Sequence, residues 1–290
     1  MFAEHLSKWA KRSANSGNGS NDNGSSNSTT TIIIRTLSKM IVIWELELRK
    51  TRRDYTDLLI RAIQPILWLI VFGSAFSYIS QTSILSISNS GSYLAYLTPG
   101  ILAQSVLFIS IFTGISMIWE RDLGQLDRLL CSPIPRTSIV LGKSFTGGIR
   151  GLVQAFIIFV IAVVMGVNIN FDPLHLAAVA AIVFTFGIGF SSLSISISTL
   201  IKSRERIFGL VQLLTMPLFF ASNALYPIDL MPKWLQLISY VNPMSYAVDA
   251  LRIVMITGNF ARLPIDLGGI GISAVIFALL ATIAFRKVQR

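Results

Sequence analysis

Residues 62–119 contain no Asp, Glu, Lys or Arg. Such a run is too long for one buried helix and too apolar for a surface facing water. A helix rises ~1.5 Å per residue and the hydrocarbon core of a bilayer is ~30 Å thick, so one crossing takes about 20 residues. The run therefore reads as two membrane-spanning helices joined by the polar segment 80–92. Four more charge-free windows follow, at 151–171, 173–201, 207–228 and 267–285. The expected fold is all-α: a polytopic membrane protein with six transmembrane helices. Charged residues make up 13% of the chain, against about 25% in soluble domains. Six spans in 290 residues leave little chain for a separate soluble domain.

The net charge of +10 would point to nucleic acid in a soluble protein, so the positions of the charges decide its meaning. Ten Lys and Arg precede the first span. Arg121, Arg128, Arg136 and Lys143 lie between spans two and three, Lys202, Arg204 and Arg206 between four and five, and Arg286, Lys287 and Arg290 in the tail. These account for 20 of the 24 basic residues. Of the opposite loops, 80–92 has no charge and 168–173 has only Asp172. The positive-inside bias then puts both termini on the cytoplasmic side or its organellar equivalent. The basic charge is topological, and no nucleic acid partner is expected.

No apolar core lies within the first thirty residues, so no signal peptide is expected there. Residues 1–36 read as a tail and linker rich in Asn, Ser and Gly. The Asn-x-Ser/Thr matches at Asn18, Asn23 and Asn27 follow from that composition and face the wrong side for glycosylation. In 37–61, Leu37, Ile41, Trp44, Leu48 and Tyr55 recur at helical spacing, while Glu45, Glu47, Arg49, Lys50, Arg52 and Arg53 fill the remainder. This predicts an amphipathic interfacial helix lying on membrane lipid; a cytoplasmic helix packed on a partner is the compatible alternative. The six-helix transmembrane domain then occupies 62–290. The single Cys131 excludes an internal disulfide, and no Cys/His cluster with metal-ligand spacing is present. Cys131 is expected beside a cytoplasmic helix as a small apolar residue, and His175 at the outer start of span four as a helix-end residue.

The loop after span two suggests a short amphipathic helix. Leu123, Leu126, Leu129 and Leu130 make an apolar stripe, Glu120, Arg121, Asp127 and Arg128 are polar, and Pro133 and Pro135 stop it. This loop closely resembles the one that marks type-2 ABC exporter permeases, the membrane subunits of drug-resistance, nodulation-factor and polysaccharide export systems. Their pattern is Glu-Arg-Glu, Gly-Thr-Leu-Glu-x-Leu-Leu, Ser/Thr-Pro and Gly-Lys. Here Glu120, Arg121, Gly124, Leu126, Leu129, Leu130, Ser132, Pro133, Gly142 and Lys143 match at the same spacing. Asp122 and Asp127 replace glutamates and Gln125 replaces threonine.

Near the C-terminus, 244–256 reads as a helix bounded by Pro243 and Gly258. At thirteen residues it is too short to cross a bilayer. Asp249 and Arg252, at i and i+3, share a face and can pair. A second short helix, 233–240, follows Pro232. An external surface hairpin is one reading of this region. The alternative is a pair of short re-entrant helices before the last span, which requires protein or water to satisfy the broken backbone. The segment resembles the same family's second signature through Ser222, Pro227, Pro232, Trp234, Leu235, Asn242, Pro243, Tyr246, Asp249, Leu251 and Arg252, which favours the re-entrant version. Asn223 stands where glycine is common, and asparagine tolerates left-handed geometry. The run Tyr96-Leu-Thr-Pro-Gly100 also resembles family members. The resemblance covers the chain from about Leu37 onward.

The run Gly142-Lys143-Ser144 mimics the end of a phosphate-binding loop. The required first glycine is absent, since position 137 is Thr137, and a span follows instead of a strand–loop–helix. Lys143 is expected to anchor span three by snorkelling to the headgroups. No nucleotide-binding motif, catalytic constellation or cofactor site is present, so the chain is not expected to hydrolyse ATP. The resemblance implies a permease subunit of an ATP-binding cassette exporter, working with a separate ABC ATPase and a second permease copy. The exported substrate would pass between two permeases. The Glu120–Pro133 segment would couple them to the ATPase, and Pro227, Trp234, Asn242, Pro243, Asp249 and Arg252 would form the outer re-entrant segment. An ion-coupled secondary transporter is the alternative. It is disfavoured because the span interiors lack the ionisable relays such proteins use, and a passive scaffold would not require the cytoplasmic loop. Family members occur in bacterial plasma membranes and in plastids. The Ile- and Asn-rich text leans toward a plastid, and the Phe-, Ile- and Ser-rich spans suit lipids, drugs or glycolipids alike.

Overall fold

A computed structural model describes residues 55–80, 93–125, 131, 136–167, 169, 171–201, 204–258, 260 and 262–287. Among the described residues there is no strand; the elements are helices joined by short turns. They are α1 (Tyr55–Ser80), α2 (Tyr93–Asp122), α3 (Arg136–Val164), α4 (Pro173–Leu200), α5 (Arg204–Phe220), α6 (Lys233–Val241), α7 (Pro243–Arg252) and α8 (Leu263–Lys287). A 3₁₀ turn, Ile228–Leu230, precedes α6, and a π-helical turn, Ile253–Thr257, follows α7.

Four helices, α2, α3, α4 and α8, are long and apolar enough to cross a membrane. The protein is a multi-pass membrane protein. The windows expected for spans one and five appear as shorter apolar helical stretches, Leu59–Ala75 within α1 and Arg206–Phe220 within α5. The interfacial helix expected over 37–61 lies outside the described residues as far as position 54, and Tyr55 onward runs directly into α1. The linker expected over 1–36 also lies outside them.

At the centre is α2, with 83% of its apolar window buried, against 22% for α8. Its Leu97, Ile101, Leu102, Val106 and Leu107 have no exposed surface. Helix α4 packs against α2, α3 and α8, and small residues make that closeness possible. A Cβ on Gly187 would stand 2.9 Å from the Cα of Gly148 on α3, closer than side chains tolerate. Serines on α4 bind its neighbours: Ser192 donates to the Ser144 hydroxyl of α3 (2.8 Å), Ser194 to the Ile111 carbonyl of α2 (2.6 Å), and Ser198 to the Gly114 carbonyl (3.3 Å). In lipid, where apolar burial drives little helix association, small residues and hydroxyls supply the contact. The serines of span four thus serve helix packing.

Candidate functional site

The cytoplasmic end of α2 is built on one ion pair. Glu120, in its last turn, and Lys143, in the second turn of α3, are 5% and 4% exposed, and the Lys143 ammonium donates to Glu120 Oε2. Lys143 therefore turns inward onto Glu120. The snorkelling expected from sequence gives way because a carboxylate is available inside the bundle. Beyond Glu120, α2 continues to Asp122. The Leu123 amide donates to the Trp119 carbonyl (2.9 Å) and the Gly124 amide to that of Arg121 (3.0 Å). Gly124 then adopts φ +68°, a left-handed helix stop that a Cβ would disfavour. Glu120 thus belongs to the end of span two and does not open a separate helix. Helical geometry resumes at Gln125. Arg121 and Asp122 lie together at 3.9 Å, half-exposed and exposed, and Leu123 is 70% exposed. Leu126, Leu129, Leu130, Ser132 and Pro133 lie outside the described residues. Cys131 is exposed, in a turn.

At the opposite end, the segment between α5 and α8 folds onto α2. Helices α6 and α7 are nine and ten residues long, about 14–15 Å each, too short to cross a bilayer. Asn242 organises their junction. Its side-chain oxygen caps α7 by accepting from the Met244 amide (3.0 Å), while its Nδ2 donates to the carbonyls of Leu218 (2.7 Å) and Ala221 (3.3 Å). Pro243 follows at the first helical position, where its missing N–H costs nothing. Pro227 precedes the 3₁₀ turn, and Trp234, on α6, is 67% exposed. The π turn ends at Gly258 with φ +67°.

Asp249 and Arg252 pair across one turn of α7 (3.2 Å), and Arg252 also donates to the Asn223 carbonyl (2.9 Å). Its guanidinium lies 3.9 Å from the centre of the Tyr96 ring, whose hydroxyl donates to the same Asn223 carbonyl (3.2 Å). Asn223 Nδ2 donates to Asp249. Burial pushes the Asp249 carboxyl above its usual range, and Arg252 and the Asn223 bond pull it back. Where this turn meets α2, a Cβ on Gly100 would collide with the backbone of Ala224. The sequence offered Asp249 and Arg252 as a pair. It did not reveal that Tyr96, Gly100 and Asn223 complete the network, because those contacts bridge more than 120 positions. His175 acts as a helix-end residue: its Nδ1 meets Asp172 (3.1 Å), which caps α4 through the Leu174 amide (3.4 Å). Among the described residues no group of three or more His, Cys, Asp or Glu is placed to hold a metal.

The sequence profile of the ABC-2 type transporter family matches residues 38–256. The chain belongs to that family. Both ends of the molecule just described fall within the match. Its relatives include the transport permease ycf38 of Cyanophora paradoxa, 30% identical over 283 residues and covering 93% of this chain and 94% of that protein. The ycf38 permease of Pyropia yezoensis is 31% identical, over 83% and 82% of the two chains. The daunorubicin resistance ABC transporter permease protein of Streptomyces coeruleorubidus is 24% identical over 67% and 66%. In this ABC-2 family protein the buried pair and the outer network are the two places where polar side chains from distant parts of the sequence converge.

Proposed function

We propose that the chain is the membrane-spanning permease subunit of an ATP-binding cassette exporter, driven by a separate ATPase subunit. Two copies form the translocation path at their interface. Helices α1 and α5 complete six spans, both termini face the cytoplasm or stroma, and α6 and α7 re-enter the outer leaflet. The plastid is the membrane favoured by the likeness to the ycf38 permeases. The segment Glu120–Pro133 receives the movement of the ATPase. Within it Leu123 supplies exposed contact surface, and Glu120 acts as a positioning residue held from behind by Lys143.

One observation carries this reading. Helix α2 is a single, largely buried rod that joins the cytoplasmic turn at Leu123 to the outer network at Tyr96. A rod packed on all sides transmits displacement, because packed interiors are stiff. Closure of an ATPase dimer against the turn would thus reach the outer helices.

The test is export by the chain co-reconstituted with the ABC ATPase that co-purifies with it. ATP alone, without an ion gradient, is expected to drive transport, and Leu123→Asp to abolish ATPase association while the chain stays folded. The chain by itself should hydrolyse no ATP. Transport that follows an ion gradient and ignores ATP would overturn the proposal in favour of a secondary transporter.

A further inference from the structure

We infer, building on the export reading, that the exposed side of α1 and α5 is the cargo-facing wall and that Gln64 and Gln212 are its hydrogen-bonding residues, suited to a neutral amphiphile. The surfaces the chain leaves uncovered are of two kinds. The exposed side chains described on α3, α4 and α8 offer no hydrogen-bonding group; Phe156, Val160, Ile276 and Leu279 are typical. Such faces suit lipid. Helices α1 and α5 differ: within their apolar stretches Gln64 and Gln212 are exposed, amid Ile63, Leu67, Phe208 and Leu213. An amide carried into hydrocarbon without a partner is strongly disfavoured, so this side is not built for lipid chains.

The two glutamines share a side and a level. The Arg61 guanidinium lies 4.1 Å from the centre of the Phe112 ring of α2, and that ring is 6.3 Å from Phe208 of α5. At the other end, Trp68 of α1 meets Phe219 of α5 at 5.5 Å. Gln64 falls between Arg61 and Trp68, and Gln212 between Phe208 and Phe219. The surface of α5 is polar in its backbone too. Pro217, exposed, has no N–H to give to the carbonyl of Leu213, beside Gln212. One turn below, a Cβ on Gly209 would meet nothing within 4 Å, leaving a hollow next to the amide. Amide groups and a freed carbonyl among aliphatic and aromatic side chains, with no ionisable side chain between Arg61 and Trp68 or between Phe208 and Phe219, match a cargo with hydroxyl or amide groups on an apolar body. They do not match an anion or a cation.

Two measurements test this. In a Cys131→Ser background in nanodiscs, Gln212→Cys is expected to react with a charged methanethiosulfonate reagent at least about tenfold faster than Val160→Cys on α3, because a thiol in hydrocarbon neither ionises nor meets the reagent. Equally slow labelling overturns the inference. If the unlabelled thiols also form a disulfide between two copies under oxidant, a second chain and not cargo covers the face. For the cargo class, the full chain retaining only Trp68 of its five tryptophans is titrated with a brominated dodecyl glucoside, which quenches that residue one turn from Gln64. Gln64→Leu/Gln212→Leu is expected to weaken binding about tenfold, the equivalent of two ordinary hydrogen bonds, and to leave quenching by bromododecane unchanged. Unaltered glucoside affinity in the double variant overturns the assignment. These readouts need no ATPase, so they stand or fall separately from ATP-driven export.

Discussion

A charge withdrawn from water inside a helical bundle is tolerated only when its partner arrives with it. Glu120 and Lys143 meet this condition, and the consequence differs from that of an exposed pair, which contributes about 0–1 kcal/mol. Glu120→Ala leaves a buried ammonium without its carboxylate and is expected to cost about 3–5 kcal/mol. Its first effect should be loss of folded protein, read as a lower midpoint of thermal unfolding in detergent. Replacing both partners, Glu120→Ala with Lys143→Met, removes the orphaned charge and should recover most of that loss. A folded double variant is then the background in which loss of ATP-driven transport reports on coupling. Recovery failing in the double variant would show that the pair does more than neutralise charge. At the other end, Arg252→Lys keeps the charge but cannot span Asp249 and the Asn223 carbonyl while stacking on Tyr96. It is expected to lose about 1.5–3 kcal/mol, the range for a charged hydrogen bond. A thermal midpoint equal to wild type would count against the network.

Element boundaries follow local chemistry that can be read from short stretches of sequence. Asp172-Pro173 and Asn242-Pro243 each place a capping side chain before a proline at the first helical position, and α4 and α7 start there. Gly124 and Gly258 end helical segments in left-handed geometry. Asn242 does more than its sequence context reveals, because it also ties α7 to the carbonyls of Leu218 and Ala221 at the end of α5. Asn242→Ala is therefore expected to cost about 2–4 kcal/mol, a cap plus buried carbonyls left unsatisfied. Asn242→Asp keeps the cap alone and should fall between the two. Faster hydrogen exchange confined to α6 and α7 would locate the damage; uniform exchange across all helices would contradict it. In the bundle, Gly187→Val drives a branched side chain into the backbone of Gly148 and should separate α3 from α4, with little folded protein recovered. Gly271, with open space around its Cβ position, is the control site for the same substitution.

On the scale of the whole molecule, the predicted topology puts residues 88 and 203 on opposite sides of the membrane. With Cys131 removed, Ser88→Cys and Ser203→Cys should label from opposite faces with an impermeant thiol reagent. Labelling of both from one face would end the six-span arrangement. Much of this protein was legible in its sequence because the bilayer imposes a one-dimensional code. Absent charge over about twenty residues means a crossing, and the four longest such helices stand where the charge-free windows lie. The two family signatures were legible for the same reason, since each is a contiguous run of residues. What the sequence could not convey was the direction in which a polar side chain turns. Lys143 reads as a headgroup anchor and instead meets Glu120, 23 positions away. The serines of α4 read as part of a cargo-compatible surface and instead bond the backbone of α2. Gln64 and Gln212 attract no notice in the text and stand exposed where the rest of the described lipid face is apolar. Composition and period determined that the chain enters a membrane and about how often. Only the packing of α2 against its neighbours decided which polar groups are buried partners and which remain for something else to bind, because those pairings depend on which faces distant helices present to one another.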